Sequence, residues 1–231
     1  MKAGYLRILG VDEAGRGCVM GPLIIAGVLI DERSQSKLLE IGVKDSKLLS
    51  RHRRERLAKE IKRIAINTRI ISLSPNKIDK VVNSQRKLHK LNRLEAQTMA
   101  KIIETLKPDV AIVDASDVLA DRYKQHIIEC LSFPVEVISE HKADKNYPVV
   151  SAASIIAKVE RDRNIDRLKA KYGDFGSGYM ADPKTKVFLE ALVKKYGVYP
   201  DFVRCSWKPA KAAKTNAKTK QTKLDENILK A

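Results

Sequence analysis

Residues 6–30, LRILGVDEAGRGCVMGPLIIAGVLI, decide how the chain folds. The two ends of the stretch, residues 6–11 and 23–30, are short, β-branched and bounded by glycine or acidic residues, which predicts two strands. A glycine-rich run joins them, so the pair reads as a hairpin. Asp12 and Glu13 follow the first strand. In a regular strand they would point to opposite faces, so the chain is expected to bend there, where Ala14, Gly15 and Gly17 make a bend sterically easy. Gly15, Gly17 and Gly21 do not have the spacing of a dinucleotide-binding G-x-G-x-x-G, and no Gly-Lys-Ser/Thr phosphate loop occurs. Small residues at this turn would instead let backbone groups approach a ligand closely.

Further elements follow outward from the hairpin. Leu57, Ile61 and Ile64 recur at helical spacing behind Ser50, a candidate cap, and residues 65–73 read as a third strand. Ser74 and Pro75 supply a cap and a first-turn proline for the next helix. A long helix carries Leu88 through Leu106 and stops at Pro108. Residues 110–113 form a short buried strand ending at Asp114. A helix through Val118, Tyr123, Ile127 and Leu131 leads to a strand at 135–138, and a long helix runs from about 148 to 171. The last helix, 183–196, starts with Asp182 as cap and Pro183 in its first turn. Three strands followed by two that alternate with helices predict an α/β fold, a mixed five-stranded sheet covered by helices.

The acids gain meaning from this topology. If the first and fourth strands are parallel neighbours, their carboxyl ends share one edge. Asp12, Glu13 and Asp114 then meet there, with Asp144 a few residues past the fifth strand. Each acid alone reads equally well as a turn residue or helix cap. Four together repel one another unless a divalent cation neutralises them, and oxygen-only ligands favour Mg²⁺ or Mn²⁺. Two such ions can activate a water and stabilise the leaving oxygen of a phosphodiester.

Charge points to the partner. The 231 residues carry 45 Lys plus Arg against 28 Asp plus Glu, a formal charge of +17, which favours a polyanion. Composition shifts after Trp207. Residues 208–231 hold seven lysines against Asp225 and Glu226, so they supply +5 and residues 1–207 the other +12. The expected division is therefore a catalytic domain over 1–207 and a basic, disordered tail over 208–231. No uncharged stretch is long enough to span a bilayer, so no membrane association is expected. Asp12 and Glu13 interrupt any signal-like apolar region. Cys18, Cys130 and Cys205 are widely spaced and odd in number, which suits a reducing compartment; the expected location is the cytoplasm.

Five segments in order, VDEAGRGCVMGPLIIA at 11–26, KDSKLLS at 44–50, VDASD at 113–117, EHKADKNYPVVSAASIIAKVERD at 140–162 and GSGYMADPKT at 176–185, resemble ribonuclease HII, the type 2 ribonuclease H family, and most of all its archaeal form. The likeness covers nearly all of residues 5–207. The resemblance implies a ribonuclease H-like fold with a C-terminal helical extension. It implies cleavage of RNA in RNA/DNA hybrids and at single ribonucleotides embedded in duplex DNA. By motif it gives Asp12, Glu13, Asp114 and Asp144 as the catalytic and metal-binding set. It places the Gly15-Arg16-Gly17 turn at the ribose 2′-OH, Tyr179 on the following sugar, and Lys47 and Lys142 at phosphates. Cys18 and Met180 stand where the family carries prolines, which would loosen the loops framing the substrate.

The expected reaction uses two ions to orient water for in-line attack, leaving 5′-phosphate and 3′-OH ends. A basic binding module that kept the fold without catalysis would not need all four acids. A resolvase of similar fold would leave the Gly-Arg-Gly and GSGY segments unexplained. Gln221 and Leu224 match the start of a sliding-clamp-binding motif found in archaeal members. Asn227 and Ile228 occupy the positions of its two aromatics, so a solvated basic tail is the favoured reading of this segment.

Overall fold

The computed structural model describes residues 5–43, 49–85 and 88–216. Five strands form one sheet: β1 (Arg7–Ala14), β2 (Leu23–Asp31), β3 (Asn67–Leu73), β4 (Val110–Asp114) and β5 (Glu136–Glu140). Their order is β3-β2-β1-β4-β5. β1 and β2 are antiparallel, as are β2 and β3, whereas β4 is parallel to both β1 and β5. The carboxyl ends of β1, β4 and β5 therefore share one edge, as the sequence predicts. The helices are α1 (Ser34–Glu40), α2 (Arg51–Ile64), α3 (Pro75–Val82), α4 (Lys90–Leu106), α5 (Ala120–Ile128), α6 (Ala143–Asn146), α7 (Pro148–Tyr172) and α8 (Pro183–Tyr196). Ser50, Ser74 and Asp182 cap α2, α3 and α8 as expected, each accepting a backbone N–H in the first turn. The short α1 and α6 were not evident from periodicity, since seven and four residues hold too few turns to show a stripe.

The described residues fall into two compact units. The first comprises the described parts of Met1–Arg16, Leu23–Leu73 and Arg86–Asp162, and it contains the whole sheet. One face of that sheet carries Ile8, Ala14, Ile24, Ala26, Val28 and Ile30, clustered with Val149, Val150, Ala152, Ala153 and Ile156 of α7. A β-carbon added at Gly10 would fall inside contact distance of the Val149 carbonyl group. Only glycine lets β1 and α7 approach this closely. On the opposite face Leu9 and Gly27 meet Ile102 and Leu106 of α4. Each such fully buried Leu or Ile stabilises the fold by roughly 1.5–3 kcal/mol. The sheet is thereby fixed from both sides.

The second unit comprises the described parts of Gly17–Pro22, Ser74–Gln85 and Arg163–Ala231. Its core gathers Val19, Met20, Ile165, Phe175, Leu189, Phe202 and Val203. Cys18 is fully buried and Met180 packs against this core, so both stand in apolar surroundings where the family motif has proline. The division expected at residue 208 is corrected here. Residues 208–216 are helical, Ala210 is fully buried with Ala213 packed beside the same core, and the Tyr199 hydroxyl donates to the Ala210 carbonyl at 2.9 Å. Lysine-rich composition masked an alanine pair at helical spacing. No helix among the described residues is long and apolar enough to cross a membrane.

Candidate active site

β1 does not bend at its acids. Its pairing with β2 continues in register through Asp12↔Ala26, Glu13↔Ile25 and Ala14↔Ile24, and the turn comes only at Gly15, whose φ is +88°. The expected bend at Asp12-Glu13 is thus corrected: eight ladder pairs hold the strand straight past both acids. The two carboxylates consequently occupy opposite faces of the sheet.

Asp12 lies on the α7 side. It is buried among Ser154, whose hydroxyl hydrogen-bonds it, and the Lys158 ammonium. Burial pushes its pKa well above the ordinary carboxylate range, the negative charges of Glu13 and Asp114 add to the rise, and Ser154 and Lys158 only partly oppose it. The close approach at Gly10 is what brings this stretch of α7 alongside.

Glu13 lies on the α4 side. Ser116 donates to its Oε1 at 3.0 Å, while Oε2 is buried without a hydrogen-bond partner. Burial, then Glu95 and Asp114, raise its pKa from 4.5 to about 8. Glu95 of α4 is itself fully buried, and Arg16 answers it: Arg16 Nε lies 3.0 and 3.1 Å from the two Glu95 oxygens, and its Nη2 donates to Asn92 Oδ1 at 2.7 Å. Burial works against the Arg16 charge, but Glu95 and Glu13 outweigh it and raise its pKa.

Asp114 ends β4 and lies within the electrostatic reach of both Asp12 and Glu13. The Ala143 N–H donates to Asp114 Oδ1 at 2.8 Å, which ties β4 to the first residue of α6. Asp144, the next residue, is buried in the short α6, just ahead of the long helix α7. Asp12, Glu13 and Asp114 are thus brought together, and Asp144 is attached through its neighbour. Among the described residues no three His, Cys, Asp or Glu side chains close on one point at metal-holding distance, as like charges would not without a cation. The donor chemistry nonetheless fits one: all are hard oxygen ligands, burial and the neighbouring acids push both Asp12 and Glu13 up in pKa, and Glu13 Oε2 is an unsatisfied buried acceptor.

The remaining sequence candidates separate. Gly17 adjoins Tyr179, since a β-carbon on it would lie 3.7 Å from the tyrosine ring. Lys142 is exposed and takes a left-handed backbone conformation, φ +58°, just before α6. Lys47, Gln221 and Leu224 lie outside the described residues. Arg16 turns its side chain inward, away from a role as an open cation. Sequence reasoning missed Glu95, Asn92, Ser154 and Lys158. The two α7 residues lie inside a motif already quoted, whereas Glu95 and Asn92 sit in a helix that reads as ordinary amphipathic packing.

A ribonuclease HII family model matches residues 9–210. Ribonuclease HII of Pyrococcus furiosus is 44% identical over 221 residues, covering 95% of this chain and 96% of the relative. The crystal structure of ribonuclease H2 from Pyrococcus horikoshii superimposes with a TM-score of 0.85 at 43% identity, covering 92% of this chain and 99% of that one. The Archaeoglobus fulgidus protein, solved as a PCNA:RNase HII complex, gives a TM-score of 0.79 at 45% identity over 87% of this chain and 93% of that one. Identity above 40% across almost the whole length, on a sheet that puts Asp12, Glu13 and Asp114 at one edge, leaves a single assignment: the chain belongs to the ribonuclease HII family and is a metal-dependent endoribonuclease.

Proposed function

We propose that the chain hydrolyses the RNA strand of RNA/DNA hybrids and cuts at ribonucleotides embedded in duplex DNA, with two Mg²⁺ or Mn²⁺ ions held by Asp12, Glu13, Asp114 and Asp144. The observation that carries this reading is the mutually repelling trio Asp12, Glu13 and Asp114, the first buried and the other two half-buried, at the carboxyl edge of three parallel strands. Bound divalent ions would supply activation of the attacking water and stabilisation of the leaving 3′ oxygen.

The chain's own residues do the rest. Burial of Asp12 and Asp144 lowers the local dielectric beside them, which strengthens charge interactions there. Lys158 and Ser154 orient the Asp12 carboxylate on one face, and Ser116 orients Glu13 on the other. Lys142 and Lys47 would neutralise neighbouring phosphates as point charges. The Gly15-Arg16-Gly17 turn would bond the ribose 2′-OH, the sole difference from deoxyribose at the sugar. Tyr179 would hold the adjoining sugar.

Single-turnover cleavage of a DNA duplex containing one ribonucleotide tests this, repeated with 2′-deoxy and 2′-O-methyl substitutions at that nucleotide. We expect a 5′-phosphate product from the ribonucleotide duplex alone, and only with Mg²⁺ or Mn²⁺. Comparable cleavage of the 2′-deoxy control would return the protein to a general nuclease. The PCNA complex of the A. fulgidus relative supports a sliding clamp as partner of this chain too. The segment from Gln221 to Ile228 is then the one to delete. Loss of clamp binding with unchanged cleavage is expected, and retained binding would place the contact elsewhere.

A further inference from the structure

An arginine in a substrate turn of a strongly basic nuclease is first read as a phosphate ligand. The contacts of Arg16 argue otherwise. Its Nε is shared between both oxygens of Glu95, and its Nη2 is taken by Asn92. Its side chain is 39% exposed, while that of Glu95 is wholly buried. A buried carboxylate is costly unless a cation meets it, so Glu95 holds the guanidinium more firmly than solvent-screened phosphate could.

The second hold is set from further away. Asn92 and Glu95 are three residues apart on α4 and so share one face of that helix. The Asn92 amide is oriented from both sides: its Nδ2 donates to Asp117 Oδ2 at 2.8 Å, which leaves Oδ1 to accept from Arg16. Asp117 is fixed in turn by a two-point pair with Arg122 and by the Leu119 N–H at 3.1 Å. These contacts outweigh the burial that alone would raise its pKa, and hold it well below the usual carboxylate range. Asp117 therefore stays charged and the amide cannot flip without losing both bonds. α4 itself is pinned to the sheet by Ile102 and Leu106.

Resting on the function proposed above, we infer that Glu95 is a positioning residue for ribose recognition, assisted by Asn92 and Asp117: it anchors the Arg16 side chain so that the Gly15-Arg16-Gly17 turn keeps one conformation. Arg16 is an inward tether rather than a substrate ligand. Gly15 at φ +88° gives the turn freedom to take several shapes. The tether removes that freedom, and misplacement near 1 Å at such a turn can cost on the order of 100-fold in rate.

The test compares wild type, Glu95→Gln, Arg16→Lys and the double variant on the one-ribonucleotide duplex. Rate and duplex affinity are measured separately, across a Mg²⁺ titration and a salt series. If wild type fails to cut, the functional reading fails and not merely this inference. If it cuts, Glu95→Gln and Arg16→Lys should each lower the single-turnover rate at saturating duplex by about 10- to 100-fold. Duplex affinity should change less than about threefold, and the double variant should be no slower than the worse single, as expected for one shared interaction. Three outcomes would overturn the inference. Arg16→Lys could keep the rate while the affinity and its salt slope change, making Arg16 a phosphate ligand. Glu95→Gln could move only the Mg²⁺ midpoint, making Glu95 part of the metal field. Glu95→Gln could lower only the melting temperature. Should Glu95→Gln not fold, Asn92→Ala decides, with a rate loss of several-fold at constant affinity expected and an unchanged rate refuting the tether.

Discussion

Asp12, Glu13 and Asp114 are held by a sheet whose ladder would form with many residues at those positions, whereas Tyr179 rides on a loop whose holds are particular side chains. In that loop the Asp182 carboxylate caps α8 through the Lys184 N–H at 3.0 Å and also accepts the Ser177 N–H at 2.6 Å. Thr185, fully buried, accepts from the Gly178 N–H at 3.0 Å and donates to the Phe175 carbonyl at 2.8 Å. The contrast separates two kinds of damage. Changing an acid should remove chemistry and leave its place intact; changing a loop holder should move the place and leave the chemistry intact.

The largest effect tests the first half. Asp114→Asn and Asp12→Asn should each reduce cleavage to below detection while the melting temperature of the metal-free protein stays level or rises, because one of three carboxyls that disfavour one another's charge is gone. Substantial turnover by either variant would break the contrast at its root. Next, Tyr179→Ala should slow single-turnover cleavage by about 100-fold with a smaller loss of duplex affinity. Equal losses in both would make the ring a plain binding contact. Thr185→Val, which touches nothing reactive, strands a buried N–H and a carbonyl at a cost of about 1–3 kcal/mol. A melting point lowered by several degrees should accompany roughly tenfold slower cleavage, at a few degrees per kcal/mol for a chain of this size. A rate unchanged in the folded protein would show that the loop needs no such staple.

The smallest effect concerns the cost of the acids themselves. The folded state keeps a proton on Glu13 up to about pH 8, whereas the unfolded chain releases it near 4.5. Folded protein therefore binds more protons across that window, and metal-free stability falls as pH rises through it. Glu13→Gln removes this dependence. Its melting temperature should match wild type near pH 4 and exceed it by about 5 °C at pH 8, with added Mg²⁺ narrowing the gap by binding the native wild type. Parallel curves would mean that Glu13 ionises freely.

How far sequence went follows the same contrast. The strands and the acids were legible because β-branched runs and strand-end carboxylates are local signals, and parallel pairing of β1 with β4 then delivers Asp12 and Asp114 to one edge. Strand period alone would put Asp12 and Glu13 on opposite faces, and the bend expected to reconcile them is absent: the ladder runs on through Ala14, and Asp114 lies within electrostatic reach of both. Glu95 stayed hidden because a glutamate among Leu94, Ala96 and Met99 reads as a helix surface residue until its burial is seen. The helix at 208–216 stayed hidden because lysines outvote two alanines in any composition window.

Gly10 carries a consequence of a mechanical kind. With the backbone of α7 seated directly on β1 at Val149, strand and helix behave as one lever whose fulcrum is a missing methyl group. Ser154 and Lys158 lie further along the same helix, about one and a half and two and a half turns beyond, at Asp12. A wedge as small as Gly10→Ala should tilt that arm and withdraw both groups from the acid. The tolerance of the acid edge is thereby written into a backbone contact buried between strand and helix.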